Sequence, residues 1–306
     1  MLKMNDQETN KRKLAFMVKS PNLKTQEFEQ YLHDVCQERK YSFNLDYDVI
    51  ASELPYFKTL QYTEYASGIT LHPLQLDFRV QQMSDAYHSA DTVMKVDFVD
   101  FFAQRVLQNK SNKYLNISEH DKEARQALVV LPGSNKIIER VSYDKLKYIK
   151  RLYGDNVWVK PHPLTTFKVV GEIMDLFGEA NVLHRQANLY SILKDSPVVF
   201  TSMLSESTLY SVCLDKYVEP IDVYQKTPIG SFYHINKFLF YENNPKHWVN
   251  KTFNDYRSGM FFPEVETDWR TKLEKYLDYI NARREKFKYI YFNPPKQPAN
   301  KTVKNV

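Results

Sequence analysis

The chain has 306 residues, of which 43% are hydrophobic and 26% charged, with a net charge of +5. This is the composition of a globular protein long enough for one large domain or two modest ones, and it excludes collagen-like and disulfide-framed chains. No apolar run approaches the roughly 20 residues of a membrane span, and the polar start, MLKMNDQETNKRK, carries no targeting signal, so a cytoplasmic protein is expected.

The charge gathers at the ends. From Ala282 onward seven basic residues, among them Arg283, Arg284 and Lys286, face Glu285 alone, and the first 19 residues add five more against Asp6 and Glu8. A polyanion would therefore meet the ends of the chain rather than its body. The two cysteines, Cys36 and Cys213, have no metal or disulfide spacing and read as small core residues.

In chain order, "KLAFMVKSPN" (13–22) predicts an opening strand, and Phe28, Leu32, Val35 and Cys36 give the next segment a helical stripe. Phe43, Leu45, Tyr47 and Val49 alternate as a half-buried strand does, and so do Leu74, Leu76, Phe78 and Val80. After a polar stretch over 82–92, Val96, Val99, Phe102 and Val106 predict a helix, and a linker is expected over 109–125. The second half is more regular. "QALVVLPGSN" predicts a strand, Val141 to Leu152 a helix, "NVWVKPHP" a strand and loop, and "TTFKVVGEIMDLFG" a helix. "ANVLHR", "SPVVFTS" and "YVEPIDV" predict three further strands, with helices over "NLYSILKD" and "SESTLYSVCLDK" between them. This alternation calls for a parallel, doubly wound, Rossmann-like sheet. A long amphipathic helix over 268–287 could cross back onto the first half, and the last residues should form a disordered basic tail.

Ligands of such sheets bind beyond the carboxyl ends of the strands. The residues expected there are Gly133, Ser134, Asn135 and Lys136; Lys160 and His162; His184, Arg185 and Gln186; and Ser202, Ser205, Glu206, Ser207 and Thr208. Hydroxyls, cations and helix N-termini in this density suit a phosphate or diphosphate. The chain has no GxGxxG, GxxxxGK[ST] or GxSxG, which disfavours a nicotinamide dehydrogenase, a P-loop NTPase and an α/β-hydrolase.

"VKPHP", followed some 40 residues later by "VVFTSMLSESTLYSV", resembles the His-Pro motif and the Ser/Glu loop of GT-B glycosyltransferases, as carried by bacterial sialyltransferases and capsule Kdo transferases. In composition the chain is also similar to bacteriophage enzymes that glycosylate hydroxymethylcytosine in DNA. The resemblance implies an α/β fold of GT-B type, with two Rossmann-like domains facing across a cleft. These would be an acceptor domain over 1–122, a nucleotide-sugar domain over 123–262, a returning C-terminal helix over 263–292 and a tail over 293–306. It further implies that His162 bonds the donor phosphate, that Ser205 and Ser207 supply hydroxyls and amides to it, and that Glu206 accepts bonds from the ribose.

Ser134, Lys136, Lys160 and Arg185 join this donor set from the rim positions, with no metal or other cofactor required beyond a nucleotide-sugar co-substrate, expected to be UDP-linked. "DYD" at 46–48 resembles the metal-binding DxD of the other large glycosyltransferase fold, but its neighbours alternate as a strand. An inverting transferase needs a base, for which Asp77 and Asp91 are the candidates and Asp48 and Asp97 alternatives. The expected function is transfer of a sugar to hydroxymethylcytosine, or to a sugar on it, in phage DNA, with Arg283, Arg284 and Lys286 holding backbone phosphates. The alternatives are a transferase of capsule or surface polysaccharide, and a non-catalytic nucleotide- or nucleic-acid-binding protein.

Overall fold

The structure, a computed structural model, describes residues 23–39, 42–44, 59–64, 68–73, 76–108, 123–133, 141–222 and 231–292. The expected strand over 13–22, most of that over 43–49, the linker over 109–122 and the tail fall outside them.

Four short strands form the second sheet: β4 (Ala127–Val130), β5 (Val157–Lys160), β6 (Val198–Thr201) and β7 (Tyr217–Pro220). They pair in the order β5-β4-β6-β7, all parallel. β4, β5 and β6 read as largely apolar runs because both faces are covered, as parallel sheets require, while β7 at the edge is only half-buried. On one face α4 (Tyr143–Tyr153) and α5 (Phe167–Phe177) bring Leu146, Ile149, Val170, Ile173 and Phe177 against Val129, Val159 and Phe200. On the other, α6 (Leu189–Leu193) and α7 (Ser207–Cys213) pack on Leu128, Val130 and Val199. The chain steps from β4 outward to β5 and then back across to β6, so the order reverses between β4 and β6, the position beyond whose carboxyl ends such sheets bind their ligands.

Local chemistry sets the ends of these helices. Ser142 accepts a bond from the Lys145 amide (3.2 Å) at the start of α4, and Gly154, at φ 58°, ends it. The predicted strand over "ANVLHR" shrinks to one parallel bridge between Val182 and Val159, after a turn of 3₁₀ helix at Glu179–Asn181.

The first half departs from the expected second Rossmann-like sheet. Its described sheet has the order β1 (Ser42–Asn44), β2 (Thr59–Glu64), β3 (Ile69–Pro73), β8 (Met260–Phe261). Only β1 and β2 are parallel; β2 with β3 and β3 with β8 are antiparallel. The link between β2 and β3 is too short for a crossover helix, so the second strand must fold back. The alternation read over 74–80 does not make a strand either, because α2 (Leu76–His88) begins there. Its inward stripe is Arg79, Gln82, Met83 and Ala86, at helical spacing but half polar.

Helix α1 (Leu23–Glu38) and α10 (Trp269–Phe292) cover one face of this sheet. Phe28, Leu32, Leu60, Ile69 and Leu71 form one core with Phe261, Leu273, Tyr276 and Leu277. The other face meets a core shared with the parallel sheet. It takes in Met83 of α2, Phe98, Phe102 and Val106 of α3 (Phe98–Leu107), and side chains of α8 (Ser231–Tyr241) and α9 (Pro245–Asn254). Each such large apolar side chain, fully buried, contributes about 1.5–3 kcal/mol. Gly259, at φ 64°, lies where β8 begins, and a Cβ there would strike the Leu71 carbonyl oxygen. Among the described residues, no helix is long and apolar enough to cross a membrane.

Candidate functional site

The carboxyl ends of β4, β5 and β6 bring three loops together. After β5, Pro161 and Pro163 bracket His162, whose ring lies against the backbone of Gly133 in the loop after β4. A Cβ at position 133 would come within 2.7 Å of His162 Cε1, so only glycine leaves the ring its place. His162 Nδ1 accepts a hydrogen bond from the Leu164 amide at 3.1 Å. In the neutral ring this assigns the proton to Nε2, which becomes a donor. Next to it α5 starts at Thr166, whose side chain makes no cap bond, so the helix's first amides are not satisfied by their cap residue.

Lys160 is nearly fully buried, and its ammonium donates to the carbonyls of Pro161 (2.6 Å) and Arg185 (2.7 Å). Arg185 donates to the Thr165 carbonyl at 2.6 Å and lies over the Phe167 ring at 4.1 Å. The two predicted donor-binding cations thus bind the 161–167 loop to the 184–186 loop, and Lys160 serves the rim by shaping it.

The loop after β6 is a braced run of hydroxyls. Ser202 Oγ donates to Asp222 Oδ1 (2.9 Å) and accepts from the Leu204 amide (3.1 Å), while Asp222 also takes the Met203 amide. Ser207 Oγ bonds both Thr201 Oγ1 and Ser205 Oγ at 2.7 Å. From α8, Asn236 Nδ2 donates to the carbonyls of Met203 (2.9 Å) and Ser205 (2.8 Å). Glu206 accepts from Tyr210 OH at 2.8 Å, and its charge is felt by Tyr190 and Arg105. Burial, and then Glu206, push the Tyr190 phenol above its usual range. Arg105 itself donates to Glu264 at 2.8 Å.

The structure therefore brings His162, Lys160, Arg185, Ser205, Glu206 and Ser207 to one edge. Ser134, Lys136 and Asp48 lie outside the described residues, and Asp77 is in the first turn of α2 with its side chain outside them. Asp91 is elsewhere. It pairs with Arg257 at 3.7 Å and lines a cavity of about 670 Å³ with Lys95, Tyr256, Lys272 and Tyr279, which shares no lining residue with the rim loops.

Asp97 is a helix cap, accepting from the Asp100 amide at 3.0 Å and from Asn250 at 3.1 Å, and those bonds hold its carboxyl below the usual range. It starts α3, whose ten residues span about 15 Å before Arg105 and the Glu206 network at the other end. Arg283 pairs with Asp85 of α2, which also accepts from Tyr279 OH at 2.7 Å; the guanidinium expected to meet a nucleic-acid phosphate is committed within the chain. Arg284 and Lys286 continue α10 with side chains outside the described residues.

Sequence reasoning missed Asp222 and Asn236, which fix the hydroxyl loop. Asp222 was in view at the end of "YVEPID", since an acid there stands at a strand's carboxyl end. Asn236 carried no signal, because it reaches back across some 30 residues. Among the described residues no group of three or more His, Cys, Asp or Glu side chains is placed to hold a metal ion.

No protein-family model matches the chain, and no curated protein matches it. A solved structure that resembles it is the β-Kdo 2,4 transferase KpsC of Thermosulfurimonas dismutans, at a TM-score of 0.39 and 12% identity. That similarity covers 53% of this chain and 60% of that one, so the match spans less than two thirds of the KpsC chain.

Proposed function

We propose that this chain transfers a glycosyl group from a nucleotide-activated sugar to an acceptor hydroxyl, holding the donor's phosphate at the carboxyl edge of the parallel sheet. The observation that carries this reading is the place of His162: its ring is seated on Gly133 at the carboxyl edge of the sheet, and its Nδ1 accepts from the Leu164 amide, so the neutral ring carries its proton on Nε2. The hydroxyls of Ser205 and Ser207 and the uncapped amides of α5 belong to the same edge. Negative charge grows on the phosphate as the bond to the sugar breaks. Donors aimed there therefore stabilise the transition state more than the ground state.

Lys160 and Arg185 act by holding two loops in register, which keeps those donors preorganised. Glu206, fixed by Tyr210, is the acceptor for ribose hydroxyls. The acceptor is a hydroxyl on a glycan or on another polymer. Arg283 lends no support to DNA, since it pairs with Asp85, and a gel shift with hydroxymethylated DNA tests that choice.

The experiment is a thermal-shift and calorimetric screen with UDP, GDP, CMP and their sugars, followed by transfer assays. Stabilisation by one nucleotide series, lost in His162→Ala, is the expected result. Binding without cleavage or transfer would indicate a nucleotide-binding protein instead, and nucleotide affinity untouched by His162→Ala would remove the site.

A further inference from the structure

Nothing in the transfer chemistry above uses the cavity of about 670 Å³ that Asp91 lines. It stands at the Asp97 end of α3, next to Val96, while the Arg105 end of that helix approaches Glu206 at the rim. One helix length, about 15 Å, therefore lies between cavity and rim. The walls are the loop between α2 and α3, the 3₁₀ turn Tyr256–Ser258 and the N-terminal part of α10.

Hydrogen bonds of the chain itself fix these walls. At the end of α9, Asn254 Oδ1 accepts from the amides of Lys95 (2.9 Å) and Val96 (3.0 Å). The buried carboxylate of Asp255 accepts from the Thr92 hydroxyl at 2.7 Å and from the Arg257 guanidinium at 2.8 Å, and Arg257 also donates to Ser89 at 2.5 Å. Lys272 and Glu266, at 6% and 5% exposure, pair with each other and contribute to the lining. A concave surface held in shape in this way, and of this volume, is a normal small-molecule site, whose range is roughly 300–1,000 Å³.

The lining decides the class of ligand. Five carboxylates and four cations surround the cavity, so an anion and a cation would each meet groups of its own sign. A neutral molecule that both donates and accepts hydrogen bonds meets no such opposition. Two of the ion pairs lie toward solvent: Lys95 with Asp268 at 2.5 Å, their side chains 55% and 41% exposed, and Arg257 with Asp91 at 3.7 Å, the carboxylate 85% exposed. Pairs so exposed hold their partners weakly, and each exchanges a bond for one to a ligand at little loss. Each also sets a donor beside an acceptor, the pattern that two adjacent hydroxyls of a sugar ring satisfy together. The rings of Tyr256 and Tyr279, 6.4 Å apart and nearly perpendicular, supply apolar surface for the C–H faces of such a ring, as does exposed Val93.

We propose that this cavity binds a neutral oligosaccharide and anchors the acceptor glycan at sugar units remote from the reacting hydroxyl, a role that rests on the glycosyl transfer proposed above. The separation from the rim makes the ligand a chain, because a single sugar filling the cavity does not reach the donor. Holding one part of a glycan here raises the effective concentration of its end at the rim without any further contact to the reacting atoms.

The test uses the full chain with two variants. Thr271→Trp fills the cavity from an exposed position of α10, and Tyr256→Ala removes part of a wall. The probes are neutral mono- to tetrasaccharides of glucose, galactose, mannose and N-acetylglucosamine, with oligogalacturonates of matching length as the acidic comparison. Binding is followed by calorimetry and by NMR of the tyrosine rings, and affinity for UDP, GDP and CMP is measured on the same proteins.

The expected result is that a neutral series binds the parent, with affinity lowered roughly tenfold or more in both variants and nucleotide affinity unchanged. Because Thr271 is exposed, Thr271→Trp should melt with the parent and decides the matter if Tyr256→Ala unfolds. No binding of any neutral member, binding as tight in Thr271→Trp as in the parent, or tighter binding of the acidic series overturns the proposal. Glycan binding by a parent that binds no nucleotide would support the cavity and count against the rim and the anchoring role.

Discussion

Replacing Gly133 with alanine tests the geometry of the rim through a single carbon. The backbone of Gly133 is not in the left-handed region, so alanine adds no strain there, and the whole effect comes from what the new Cβ meets. It would stand 2.7 Å from His162 Cε1, 2.8 Å from Nδ1 and 3.0 Å from Cγ. Comfortable carbon contacts lie near ~3.5–4.0 Å, so the ring must move by about 1 Å. That movement pulls Nδ1 off the Leu164 amide, now at 3.1 Å, and forfeits a bond contributing about 0.5–1.5 kcal/mol.

The fold should survive, with a modest fall in urea midpoint. Nucleotide affinity should drop nearly as far as in His162→Ala, since displacing a positioned group by about 1 Å can lower function ~10²-fold. The assay is calorimetric titration of the parent, both single variants and the double variant. Once His162 is alanine, the Cβ at 133 has no ring to displace, so Gly133→Ala should be silent in that background. An equal loss of affinity with and without the His162 ring would refute the reasoning.

Asp222→Ala should lower stability by about 2 kcal/mol, since it strips a charged acceptor from the Ser202 hydroxyl and Met203 amide; urea unfolding measures it, and Asp222→Asn should be milder. Lys272→Met leaves Glu266 buried without its partner, at a loss of about 3–5 kcal/mol; double substitution with Glu266→Leu should recover most of it. His72 and His234 stay neutral when folded, so unfolding takes up protons as pH falls below their ordinary value of 6.5. Stability should then be full above pH 6.5 and fall toward pH 4 by up to about 1.4 kcal/mol per unit for each histidine. Unfolding at pH 7 and pH 5 shows the slope, which His234→Gln should reduce.

The parallel sheet was legible because each strand is a continuous apolar run between turn residues, so "ALVV", "VWVK" and "VVFT" could be read without knowing their neighbours. The prolines around His162 marked the loop for the same local reason. The first half resisted because its determinants are not local. Arg79 and Gln82 occupy inward positions of α2 and broke the helical stripe, leaving an alternation over 74–80 that imitated a strand. β8 is two residues long and exists only because Met260 and Phe261 pair with β3. At the site, Lys160 and Arg185 were recognisable as rim cations, but residue type could not reveal that carbonyls, through the fold, would take their charge. Asp91 and Asp97 have the chemistry of a base, but only the fold could reveal that Asp91 stands beside Arg257 and that Asp97 caps α3.

The pairing of β3 with β8 and of α1 with α10 also bears on how the molecule is made. Tyr31 bonds Glu274 across 243 positions of sequence, and the apolar face of α1 meets Trp269, Leu273 and Leu277. A ribosome issuing the chain from its N-terminus completes the parallel sheet before α10, which packs on α1, has been made. The segment synthesised early is then among the last to be fully buried, its core unfinished until the closing helix emerges. Stopping synthesis shortly before Met260 should yield a folded parallel sheet carrying a sticky, protease-sensitive first half.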